Sequence, residues 1–348
     1  MPLLKIITIS LITLILIFGC ISPELRSARI ALNEKDYQRA LRQADLELQR
    51  LPGSSEAFYL KGYCYGKLGE LARMSQFYDS SLVYASTFKG RIEDERRNLV
   101  ARYYRRFTDY YDKQSLDSAL AFIDTAIIVD PHNIMLYQQA AVTAYSADQN
   151  ERALTYAQKA IALEPVGQKD LPTRQIVLEI SFKNEEFDAA IYLAKEIMSL
   201  VADPLADTTG AYLRAFDVQL ATYEKKQDYD AAEQAIADVI ILFPGRNDIL
   251  LNYALMKLRK NDFDGAAVVY KRILETAPDD FTANLNLGTI LVNQGKWLDA
   301  IPYLKKAHEL DASSRIAVQN LMAAYFNTDQ EKLGLEMKAK LDALDAGK

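Results

Sequence analysis

The chain has 348 residues, half of them hydrophobic and a quarter charged, which is the composition of a folded protein. Its net charge of -6 supplies no overall basic field for nucleic acid. Two cysteines and two histidines are too few for a disulfide framework or for most structural zinc sites, so neither a metal nor a cofactor is expected.

The N-terminus carries Lys5 and then an unbroken apolar or hydroxyl run from Ile6 to Phe18. That run has the length of a signal-peptide core and is short for a helix that crosses a bilayer. Ile17-Phe18-Gly19-Cys20 follows at once and resembles the bacterial lipobox, with Ile17, Gly19 and Cys20 on the motif. The resemblance implies a signal peptide over 1–19, cleavage before Cys20 and lipid modification of its thiol. It also implies anchoring in the cell envelope, each buried methylene contributing ~0.8 kcal/mol. Residue 21 is Ile and not Asp, which favours the outer membrane, facing the periplasm. The bland alternative is a signal anchor with an incidental cysteine. Helical patterning resumes at Glu24, so 20–23 is a tether of at most ~14 Å when extended.

From there the chain reads as short amphipathic helices in pairs. The residue opening the second helix of each pair is Ala40, Met74, Ala119, Ala153, Ala190, Ala232, Ala266 and Ala300, with Gly334 in a degenerate last pair. Most of these are 34 residues apart. Twelve positions further on, Pro52, Pro131, Pro165, Pro244 and Pro278 end the second helix. Polar turns before an aromatic residue, such as Lys35-Asp36-Tyr37 and Asn261-Asp262-Phe263, separate the helices. The clearest pair is Phe281 to Ala312, where Leu285, Leu287, Gly288 and Leu291 recur at helical spacing and are answered by Ala300, Leu304 and Ala307.

This pattern resembles the tetratricopeptide repeat. It covers about 320 residues as eight full units and a C-terminal capping segment. The resemblance implies an all-α, right-handed superhelical solenoid. Two places break the period. Eleven extra residues precede the Arg91–Tyr111 stretch, which has no Gly or Pro and extends a first helix. A loop around Ala202-Asp203-Pro204 and Thr208-Thr209-Gly210 suggests a division into 24–201 and 202–346.

Chemistry is sparse. His132 follows Pro131 at a helix end, His308 stands far from it, and neither has metal-ligand spacing. Gly62-Tyr63-Cys64-Tyr65-Gly66-Lys67 has the wrong glycine spacing for a phosphate loop, and Gly62 is better read as a close helix contact. Cys64, mid-helix among apolar residues, reads as a buried thiol. An enzyme is not expected. In tetratricopeptide arrays the first helices line the concave groove, and carrying that face over marks Tyr59, Tyr63, Tyr104, Tyr111, Tyr145, Leu251, Leu255 and Leu285, with Met135 among their neighbours. Tyrosine offers rigid area with a polar tip. The function this implies is a membrane-anchored, non-enzymatic scaffold holding a protein partner's peptide or helix, with no nucleic acid. The alternative is a lipoprotein that captures a small molecule or glycan for uptake.

Overall fold

The computed structural model describes residues 21–346, so Cys20 and the expected signal peptide over 1–19 lie outside the described residues. The described residues form eighteen α-helices and no strand. Two compact units meet between Val177 and Leu178. The first holds four helical hairpins: α1 (Pro23–Asn33) with α2 (Tyr37–Arg50), α3 (Ser55–Lys67) with α4 (Leu71–Tyr84), α5 (Lys89–Tyr111) with α6 (Leu116–Val129), and α7 (Ile134–Ser146) with α8 (Asn150–Leu163). Helix α9 (Leu171–Lys183) contains the unit boundary, and α10 (Phe187–Leu200) completes its pair. The second unit continues with α11 (Ala211–Lys225) and α12 (Tyr229–Leu242), then α13 (Asn247–Arg259) and α14 (Phe263–Thr276). It ends with α15 (Phe281–Asn293) and α16 (Trp297–Leu310), then α17 (Arg315–Phe326) and α18 (Glu331–Ala346).

The repeat is written in the backbone. Lys35, Gly69, Gln114, Asp148, Glu185, Gln227, Asn261, Gly295 and Asp329 all adopt a left-handed conformation, one in the turn of each hairpin. Each stands five residues before the small residue that opens the second helix, so the turns keep the period of the sequence. The amide that follows each turn residue bonds back to the end of the first helix, as Asp36 N does to Ala31 O and Lys296 N to Leu291 O. This is a Schellman closure, which satisfies carbonyls that the helix end would otherwise strand. Asp36, Asp228 and Asp262 then cap the second helices by accepting from backbone amides.

Small residues let the helices of a pair approach. Ala40, Ala119, Ala153, Ala190, Ala232, Ala266 and Ala300 are fully buried, as is Met74. Where the second helix is bulky, the first compensates with glycine. A Cβ on Gly62 would lie 2.3 Å from the Tyr78 ring, one on Gly66 2.9 Å from the Met74 sulfur, and one on Gly288 2.6 Å from Leu304. Between the fourth hairpin and α9, Arg174 makes a bidentate pair with Glu164, both contacts at 2.8 Å and both side chains almost fully buried.

The division expected at Val201–Ala202 is not where the units part. Ile191, Met198 and Val201 pack on the core of Tyr212, Phe216, Leu220 and Ile236, which ties α10 to α11 across the loop. The loop itself is organised by Asp207, whose carboxylate accepts from the Thr209 and Gly210 amides, the Thr209 hydroxyl and the Tyr212 amide. In the last hairpin, Met337 is buried against the second unit's core, and Leu341 and Leu344 pack beside it. The helix read as a solvated cap is therefore solvated on one face and packed on the other.

Candidate partner-binding cleft

The eleven-residue irregularity shapes the first unit. Helix α5 runs 23 residues, whereas the first helices of the other hairpins have 11 to 15. Its extra turns dock onto the preceding hairpin. Phe88, in a single 3-10 turn, stacks on Tyr59 with ring centres 4.5 Å apart. Ile92 is fully buried. Glu95 accepts a hydrogen bond from the Tyr78 hydroxyl at 2.8 Å. Arg96 Nη2 donates to the Ser75 carbonyl, the Ser75 hydroxyl and Asp79 at 3.1, 3.0 and 2.8 Å. Burial and the Glu95 carboxylate push the Tyr59 and Tyr78 hydroxyls above the usual phenol range, so both stay protonated donors.

Beside this docked segment lies a cleft of about 840 Å³. Asp79, Leu82 and Val83 of α4 form one wall and Glu93, Arg96, Arg97, Val100, Ala101 and Tyr104 of α5 another. Asp130, His132 and Asn133 from the α6–α7 junction close it with Met135 of α7. Its apolar surface is presented to solvent: Val83 is 81% exposed and Met135 47%. Its charges are mostly tied down, Asp79 to Arg96 and Arg97 to Asp94, while Asn133 donates to Asp130. An apolar trough with a neutralised polar end suits a segment that brings apolar side chains and a few polar atoms.

The residues marked from the sequence fare unequally. Tyr104 lines the cleft and is half-buried, in contact with Phe107, which in turn touches Tyr111. Tyr59 is a correction: only 8% exposed, it is roofed by Phe88 and stacked near Tyr78, so no partner reaches it. Tyr63 touches Tyr59 and carries the Lys67 ammonium over its ring at 4.7 Å. Tyr145 is exposed on α7. In the second unit Leu255 is exposed, but Leu251 and Leu285 are half-buried against the core of α13 to α18. The cleft thus collects Tyr104 and Met135 and none of the other marked positions. Sequence reasoning missed Leu82 and Val83, because it looked for a groove only on first helices. The insertion was the signal, since three extra helical turns must pack on something. Cys64 is buried as expected, and burial pushes its thiol up to about 12.

Two tetratricopeptide repeat family models match the chain, over residues 222–281 and 257–325. Those residues belong to the tetratricopeptide repeat family. Outside 222–325 the same turn conformation recurs in every hairpin back to Lys35, followed five residues on by a fully buried alanine in the first, third, fourth and fifth hairpins and by the buried Met74 in the second. A human protein, Protein O-mannosyl-transferase TMTC1, is 26% identical over 194 residues, which is 55% of this chain. The chain spans about a fifth of the length of that relative, 21%. Among solved structures, MamA protein is similar at 19% identity and a TM-score of 0.43, over 51% of this chain and 91% of MamA. YrrB, described as a tetratricopeptide repeat protein with an unusual peptide-binding site, is similar at 16% identity and 0.42, over 57% and 96%. A tetratricopeptide repeat protein from Parabacteroides merdae is similar at 13% and 0.45, over 71% and 93%. Arrays of this family serve as protein-binding scaffolds.

Proposed function

We propose that this tetratricopeptide protein is a non-enzymatic scaffold, exported and lipid-anchored at Cys20 in a bacterial envelope, that holds an apolar segment of a protein partner in the α4–α5–α7 cleft. The observation carrying this reading is the cleft's exposed apolar lining, Val83 and Met135 above all, beside carboxylates already engaged by arginine or asparagine. A surface of that kind remains costly in water until something covers it. The lipobox resemblance supports the anchoring, and Ile21 in place of Asp favours the outer membrane. Among the described residues no helix is long and apolar enough to cross a membrane.

The test is crosslinking in the producing cell from a photoreactive residue at Met135, compared with Val83→Asp and Met135→Asp variants. Both side chains are exposed, so the variants keep the fold. A discrete envelope protein crosslinked from position 135, and lost in both variants, is the expected result. Unchanged capture would place the partner elsewhere on the array. A volume within the range of small-molecule sites favours one second reading, an amphipathic small ligand. It takes precedence if nothing macromolecular crosslinks while a bound metabolite co-purifies.

A further inference from the structure

The two edges of the first unit differ in polarity, and the chain's N-terminal segment leaves from one of them. In every hairpin the left-handed turns lie at one edge, and the junctions between hairpins lie at the other. The junction edge is continuous across the first two hairpins. Arg50 at the end of α2 stands 3.8 Å from Glu24 at the start of α1. The Ser55 hydroxyl donates to the Ser81 carbonyl at 3.0 Å. Tyr84 stacks on Phe58 at 5.5 Å and would touch a Cβ on Gly53 at 3.1 Å.

This edge exposes apolar groups: Ile21 at 43%, Leu51 at 49%, Tyr84 at 55% and Val83 at 81%. Pro23 and Pro52 are exposed beside them. Of its charges, Arg50 is paired with the almost fully buried Glu47 and with Glu24, and Arg26 is exposed. The turn edge of the same hairpins presents Asn33, Glu34, Lys35 and Asp36, then Lys67, Leu68, Gly69 and Glu70. Leu68 is the one large apolar side chain exposed in those two turns. The described chain starts at Ile21, two residues before α1 and on the junction edge, and Cys20 directly precedes it in the sequence. Two residues, Ile21 and Ser22, separate Cys20 from Pro23, a span of at most ~11 Å.

We propose that this junction edge lies on the lipid surface, with Ile21, Leu51 and Tyr84 at headgroup depth and the charged turn edge pointing away. The inference rests on the reading that Cys20 carries the anchor. A short tether holds the edge within reach of the bilayer, and the exposed apolar groups gain by leaving water there. Tyrosine suits an interface in which one end is apolar and the other wet. Val83 also lines the cleft, so a segment held there would lie close to the bilayer.

The experiment uses the full chain, expressed with its own N-terminal segment and placed in vesicles of phosphatidylethanolamine and phosphatidylglycerol. An environment-sensitive fluorophore is attached at Leu51→Cys or Ser86→Cys on the junction edge, and at Lys35→Cys or Glu70→Cys on the turn edge. Cys64 stays in place because it is fully buried. Brominated lipids should quench strongly at 51 and 86 and leave 35 and 70 bright, with mass spectrometry showing acyl chains on Cys20. Equal quenching at both edges, or none at either, on a chain that does carry the lipid would overturn the orientation and leave the anchor standing. A chain without lipid on Cys20, recovered in the soluble fraction, overturns both.

Discussion

His308 on α16 faces the last helix, where Lys340 Nζ lies 2.9 Å from its Nε2. Burial, then the Lys340 charge, lower the imidazole below its ordinary value of 6.5, so the folded chain keeps it neutral and able to accept. The sign follows from linkage. Below 6.5 the unfolded chain takes up a proton that the folded chain refuses, so the stability from this contact is present above 6.5 and is lost as pH falls through that value. Amide exchange in α18 should therefore quicken between about pH 8 and pH 5 after correction for intrinsic rates, and a His308→Gln variant should show a flatter profile. An unchanged profile in both proteins would remove the titration from this contact. Residues of this kind are only half legible in sequence. Gly62 and Gly288 could be read as close contacts, because a small residue at helical spacing among large ones has few other uses. Tyr59 could not, because the ring that covers it, Phe88, comes from an insertion with no counterpart in the repeat.

At the scale of the hairpin, the turn is where sequence and conformation disagree most cheaply. Nine turns use the left-handed region, but only Gly69 and Gly295 meet it with glycine. A side chain there costs ~1–2 kcal/mol, of which glycine returns ~0.5–1 as greater freedom in the unfolded chain. Gln227, with φ of 57°, is exposed and makes its turn through backbone bonds alone: its own amide to Glu224 O, and that of Asp228 to Tyr223 O. Gln227→Gly should raise stability by about 0.5–1 kcal/mol, and Gly295→Ala, at φ of 72°, should lower it by about 1 kcal/mol. Urea midpoints that shift in opposite directions, with the slope unchanged, would bear this out; shifts of one sign would not. The period itself was legible, since the buried alanine and the turn recur together. The extent of α5 was legible too, from a stretch without Gly or Pro. What the extra turns pack against was not, because a helix's length says nothing about which neighbour takes its apolar face.

Over the whole chain, each hairpin's stability comes from its own pair and from its neighbours along the sequence. Recurring side-chain bonds make the same nearest-neighbour links: Gln149 donates to Asp117 in one unit, and Lys226 to Asp188 and Gln294 to Asp264 in the other. Damage should consequently stay local. Gly62→Val drives a branched side chain into the Tyr78 ring, where even a Cβ would sit at 2.3 Å, and overpacking of this kind costs about 1–3 kcal/mol. Since Tyr78 also donates to Glu95, the disturbance should reach α5 and the cleft wall. Hydrogen exchange should accelerate in α2 to α5 and stay unchanged in α15 to α18, with the Met135 crosslink weakened because Arg96 and Val100 shift. Acceleration spread evenly from α1 to α18 would instead mean that the chain opens as one cooperative body, and the cleft would then owe its shape to the entire array and not to the insertion that borders it.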